Sequence, residues 1–146
     1  LANLTQTYDG KAKPVSGTTV PVGLNLAFSY DGSPNAPTNA GSYTVVGTVQ
    51  DPNYGGSATN TLTVNPKAAM VVADAKSKAY GEANLALTAV VTGQVTGGDA
   101  ISYTLTTTAV KFSNVGGYPI TVTLGSNPNY SVTKTDNTLT DSTKAA

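Results

Sequence analysis

The chain contains no histidine, cysteine, tryptophan or arginine. Each absence excludes a chemistry. Without His or Cys, the ligand sets of zinc fingers, blue-copper centres and iron–sulfur clusters cannot be assembled. A Ser–His–Asp or Cys–His nucleophile is excluded on the same ground. Without Arg there is no bidentate grip on phosphate or guanine. Charge is also scarce: charged residues make up 11% of the chain, against about 25% in an ordinary soluble domain. Eight lysines balance eight acids, which leaves no basic field for nucleic acid or an anionic membrane. No apolar run approaches the ~20 residues that cross a bilayer, and no secretory leader pattern is visible. Neither a nucleic-acid partner nor membrane insertion is therefore expected.

Threonine, serine, asparagine and glycine supply the polarity instead. Thr is β-branched and suits a pleated surface. Gly, Asn, Asp and Pro supply turn conformations. Helix formers are few, with Glu82 the only Glu and Met70 the only Met. The composition predicts an all-β protein.

A repeat organises the chain, and all eight tyrosines fall into pairs. Tyr8 matches Tyr80 and Tyr30 matches Tyr103. Tyr43 matches Tyr118, in Asn39-Ala40-Gly41-Ser42-Tyr43 and Asn114-Val115-Gly116-Gly117-Tyr118. Tyr54 matches Tyr130, in Asp51-Pro52-Asn53-Tyr54 and Asn127-Pro128-Asn129-Tyr130. Leu62 matches Leu139, each between two threonines, and Lys67-Ala68-Ala69 matches Lys144-Ala145-Ala146. The offset grows from 72 at Tyr8 and Tyr80 to 77 at the last pair, a drift that small loop insertions explain. Two domains are expected, residues 1–66 and 67–146, with the boundary near Pro66. The return of Lys-Ala-Ala leads us to expect a further copy after this one, and the sequence reads as a piece of a longer protein.

Within each copy the clearest strand runs from Gly41 to Gln50, with Tyr43, Val45, Gly47 and Val49 on one face and Thr44, Val46 and Thr48 on the other. Tyr118, Ile120, Val122 and Leu124 repeat the pattern. Pro119 points to an edge or to the beginning of that strand. Further strands are expected near Val15–Val20, Leu24–Tyr30, Ala58–Val64, Leu85–Val91, Ile101–Thr107, Tyr130–Thr133 and Thr138–Thr140. Asp31-Gly32, Gly55-Gly56 and Gly97-Gly98 mark turns. A Tyr opening a late strand, with an inward residue two places on (Val45, Ile120), favours two small antiparallel immunoglobulin-like sandwiches. A β-grasp-like arrangement is the alternative, because strand order is not legible here.

These landmarks resemble the "mostly β, glycine-rich" (MBG) repeats of bacterial surface adhesins, including filamentous-haemagglutinin-like proteins. Residues 5–64 fit one version, through Thr7-Tyr8-Asp9-Gly10, Pro37–Val45, Asp51–Tyr54 and Thr61-Leu62-Thr63-Val64. Residues 77–140 fit a sister version, through Ser77-Lys78-Ala79-Tyr80-Gly81 and Asn127–Thr133. The resemblance implies an extracellular or cell-surface location and a role in adhesion or biofilm structure, with neighbouring repeats of the same chain as partners. It supplies no binding site.

The tyrosines offer a sugar-stacking platform, against core and corner roles with bonded hydroxyls. The loops Asp51-Pro52-Asn53 and Asn127-Pro128-Asn129 offer oxygen ligands to calcium, with Asp74 or Asp99 recruited, against simple turns. No other cofactor is expected. Glycosidase chemistry needs two carboxyls about 5–10 Å apart, and no acid pair recurs in both copies, so no catalytic residue is assigned and no enzyme is expected. An intramolecular Lys–Asn crosslink needs a buried Lys. Lys11, Lys13 and Lys111 are nominal candidates, with exposure the plainer reading. Thr104–Thr108 reads as a solvated strand face, or as a self-association face at an edge with few guarding charges. No metal or ligand-binding residue is assigned. The expected function is a structural spacer or stalk repeat of an adhesin, the alternative being a module that binds polysaccharide or another adhesin molecule.

Overall fold

A computed structural model describes residues 1–146. The chain is all-β and has no helix long and apolar enough to cross a membrane. It divides into two compact units. The first comprises Leu1–Lys67 together with Val95–Asp99 and Pro128–Tyr130; the second comprises Ala68–Gln94, Ala100–Asn127 and Ser131–Ala146.

The first unit is built on β1 (Thr5–Thr7), β2 (Leu26–Tyr30), β3 (Gly41–Val49) and β4 (Ser57–Asn65), in sheet order β1-β4-β3-β2. β3 follows the alternation closely: Val45 is fully buried and Thr44 exposed. Opposite Tyr43 on β4 stands Leu62, also fully buried. Val64, Tyr8, Tyr30 and Val15 complete this core. Gly47 is closely approached: a Cβ there would lie 2.9 Å from the end of the Leu1 side chain and 3.1 Å from the Phe28 ring, so these side chains would have to shift. β2 is joined to its hairpin at Asp31-Gly32, both with positive φ. Tyr30 and Ser33 exchange backbone hydrogen bonds of 2.7 and 2.9 Å across this turn, the two-residue geometry that Asp-Gly favours.

The second unit holds the body of two sheets. One contains β5 (Lys67–Ala73), β7 (Ala89–Thr92) and β10 (Tyr130–Thr135), in order β10-β5-β7. The other contains β6 (Lys76–Ala79), β8 (Tyr103–Thr107), β9 (Gly116–Leu124) and β11 (Asn137–Ser142), in order β6-β11-β9-β8. Val71, Ala73, Ile120, Val122 and Leu139 are the most deeply buried of its apolar residues.

The all-β expectation holds, but neither copy is purely antiparallel. β1 runs parallel to β4, with Gln6 opposite Val64, and β6 runs parallel to β11, with Lys78 opposite Asp141. In each copy the strand that leads into Tyr8 or Tyr80 thus lies beside the last strand. Several local expectations are also corrected. Val15–Val20 is not a strand: Ser16 makes a single bridge to Ala2, and Pro14, Gly17 and Pro21 interrupt any longer ladder. The strand expected from Leu85 begins only at Ala89. Gly55-Gly56 forms no tight turn, and Val49 N–H reaches across to Gly56 O at 2.9 Å. β1, β5 and β6 were not anticipated, because they are short or rich in Ala and Lys. Pro119 lies on β9, an interior strand, but the β8 ladder stops at Ile120. The missing N–H of Pro119 therefore faces no partner strand, which is the local edge its presence implied.

Candidate functional site

The side chains singled out by the sequence are mostly engaged inside the fold. Tyr30 is buried, and its hydroxyl accepts the Val15 N–H at 3.0 Å. On the late strands, the Tyr43 and Tyr118 hydroxyls each donate to a carbonyl four residues upstream, Asn39 O at 2.9 Å and Asn114 O at 2.7 Å. Two places on, Val45 and Ile120 are fully buried. This is the corner geometry that the sequence pattern suggested.

Within the first unit, Tyr8 and Tyr130 meet edge to face, with ring centroids 5.4 Å apart and planes at 80°. Both are buried. The Tyr8 hydroxyl accepts from Asp99 N at 2.9 Å. The Tyr130 hydroxyl accepts from Val95 N at 3.1 Å and donates to Asp99 O at 2.6 Å. Beside them lies Asn129, 3% exposed. Its Oδ1 accepts from Ala40 N at 2.7 Å, and its Nδ2 donates to Asn39 Oδ1 at 3.1 Å and Asp99 Oδ2 at 2.6 Å. Asn129→Ala leaves the Ala40 N–H without its acceptor, which costs about 1–3 kcal/mol if that amide stays buried. The expected result is faster hydrogen exchange at Ala40, with the β3 amides slowed as before; unchanged exchange at Ala40 would show that another acceptor replaces the amide.

The counterparts of that aromatic pair behave differently. Tyr80 stands at the Tyr8 position of the second copy and is 42% exposed; Tyr54 stands at the Tyr130 position of the first and is 49% exposed. Tyr80 has the exposed Phe112 for a neighbour, at 6.2 Å between centroids. Tyr54 borders a cleft of about 270 Å³ lined also by Leu1, Leu24, Leu26 and Val49, with no acidic or lysine side chain.

The side-chain oxygens of the two Pro-Asn loops at Asp51, Asn127 and Asn129 are engaged in hydrogen bonds within the fold. Asp51 Oδ1 accepts from Asn53 N at 2.8 Å and Tyr54 N at 3.1 Å. Asn127 Oδ1 accepts from Ser102 N at 2.7 Å. Asp74 Oδ2 accepts from the Thr88 hydroxyl at 2.7 Å, and the Glu82 carboxylate accepts from Ala79 N at 3.2 Å. No three acidic side chains converge. Thr104, Thr106 and Thr108 are exposed on or just beyond the edge strand β8, so this tract presents a solvated face. Two surface acids are held below the ordinary carboxylate range: Asp9 by hydrogen bonding from Lys13 and from Lys11 N, and Asp136 by the Val122 N–H and then Lys134.

Of the nominal crosslinking lysines, Lys11 and Lys111 are exposed, and Lys111 lies 5.3 Å from the centre of the Phe112 ring. Lys13 is buried, against the expectation of exposure, because it folds back on Asp9, which is itself half exposed. The lysine that the sequence reading missed is Lys78. Its side chain is 1% exposed and its Nζ lies 3.0 Å from Oδ2 of Asp141, whose side chain is fully buried. A signal was available. Asp141 falls two places after Leu139, where the first copy has the core residue Val64, and a charge at an inward strand position requires a partner.

The architecture defines a structural repeat protein: two all-β copies whose distinctive side chains are engaged in corners, turns and sheet-to-loop contacts. Residues 1–69 match the MBG domain, and residues 69–140 match the MBG domain of YGX type, a stretch in which this chain carries Tyr80-Gly81-Glu82. The chain belongs to the MBG family, as two consecutive MBG domains, and such domains are repeat modules of large bacterial surface or secreted proteins. A search of curated proteins gave no match.

Proposed function

We propose that this chain is a spacer or stalk segment of a bacterial cell-surface or secreted adhesin, located outside the cell and supporting adhesion or biofilm formation by holding other parts of its parent protein. The observation that carries this reading is the use of the conspicuous side chains as structural fasteners. Five of the eight tyrosines, Tyr8, Tyr30, Tyr43, Tyr118 and Tyr130, have their hydroxyls hydrogen-bonded to backbone amides or carbonyls within the fold. Neighbouring repeats are the natural partners. Tyr54 and Tyr80 occupy the positions that are buried as Tyr130 and Tyr8, and a further copy on either side would cover them in the same way.

A second reading has a specific observation in its favour. Tyr54 beside its apolar cleft, and Tyr80 with Phe112, present exposed aromatic faces of the kind that stack on sugar rings. In that reading the chain binds a polysaccharide or another adhesin molecule. A glycan array probed with the two-domain chain, with calcium and with chelator, separates the two. The spacer reading expects no saturable signal in either condition. Saturable binding abolished by Tyr54→Ala or Tyr80→Ala would replace it with the binding-module reading.

A further inference from the structure

We propose that Lys78 and Asp141 form an intramolecular amide bond, fastening β6 to β11, the last strand of the second copy. The site is enclosed: the two side chains are 1% and 0% exposed, on neighbouring parallel strands and directly opposite in register. Nζ donates to three backbone carbonyls, Glu82 O, Val110 O and Lys111 O, each at 3.1 Å. It also lies 3.0 Å from Asp141 Oδ2, yet neither carboxylate oxygen accepts a hydrogen bond of good geometry. A fully buried carboxylate with both oxygens unbonded calls for an explanation. The carbonyls fix the nitrogen in place, and the register of β6 on β11 holds the carboxyl against it.

Such an arrangement is primed for condensation. One proton passes from the Lys78 ammonium to an Asp141 oxygen, a transfer favoured where neither charge is hydrated. The Nζ lone pair then adds to Cγ. The C–N bond forms, the C–OH bond breaks, and a second nitrogen proton leaves with the hydroxyl as water. Ammonium and carboxylate are converted to amide and one water, with no oxidant or external reagent. The product removes one of the two unbonded oxygens, and burial keeps water from reversing the step. The first copy shows that the fold itself does not require charge here: the same register holds Gln6 opposite Val64, with Gln6 Nε2 donating to Asn3 O at 3.0 Å and Pro14 O at 2.9 Å.

The bond is read by intact-mass spectrometry of the purified two-domain chain. The expected mass is lower than the sequence mass by one water, and tryptic digestion should leave Lys78 uncleaved within a branched peptide that contains Asp141. The double variant Lys78→Gln/Asp141→Val, which installs the pair found in the first copy, should fold, as judged by its β-type circular dichroism, and show its full sequence mass. A folded wild-type chain at full sequence mass, with trypsin cutting after Lys78, would overturn the proposal and leave a buried ion pair only. Loss of one water in the double variant would overturn it too, by placing the dehydration elsewhere.

Discussion

Asp141→Ala is expected to lower the stability of the second unit by about 3–5 kcal/mol, the usual cost of stranding one member of a buried pair. Lys78 is held by three carbonyls as well as by Asp141, but carbonyls only solvate an ammonium and do not neutralise it. The effect has the same sign whether the native contact is an ion pair or the amide proposed above, since both lose the acid. The decisive comparison is with Lys78→Gln/Asp141→Val. Removing both charges leaves no stranded ion, so this double variant is expected to be more stable than Asp141→Ala alone. Native-state hydrogen exchange at the amides of β9 and β11 reads the change in the unit concerned. A loss below about 1 kcal/mol for Asp141→Ala, within the range of ordinary surface substitutions, would mean that Lys78 escapes to solvent when its partner is removed.

The second large effect concerns the apolar core of the first unit. Leu62 has no exposed surface, and it faces Tyr43 across the β3–β4 ladder, next to the fully buried Val45. Leu62→Ala removes three buried carbons from a site walled by sheet backbone, where collapse is difficult. The expected cost is about 2–5 kcal/mol. Thr61→Ala, one residue earlier and exposed, is expected to stay within about 0.5 kcal/mol. Urea unfolding, with exchange at the β3 and β4 amides to localise the change, checks both. Equal effects at the two positions would contradict the alternation on which the strand assignment rests.

The alternation that makes Leu62 and Thr61 so different is a local property, and it was legible without coordinates. Period-two patterning placed β3 almost to the residue and found the Tyr118–Leu124 part of β9, with Val45 and Ile120 at the inward places. Asp31-Gly32 announced its turn because few other residues tolerate two successive positive φ values. The absence of His, Cys and Arg excluded whole chemistries by inventory alone. Strand partnership was a different matter. That β1 lies along β4 and β6 along β11, in parallel, depends on contacts between distant parts of the chain, whose free energy no window of residues contains. That Lys78 and Asp141 stand face to face is decided by the register of that pairing. The tyrosines make the same point. Tyr8 and Tyr80 sit in matching motifs, as do Tyr130 and Tyr54, yet one of each pair is buried and the other open. Sequence determined which residue types stand at those positions; burial was decided by what the folded chain brings against them, because desolvation is a property of surroundings and not of the residue itself.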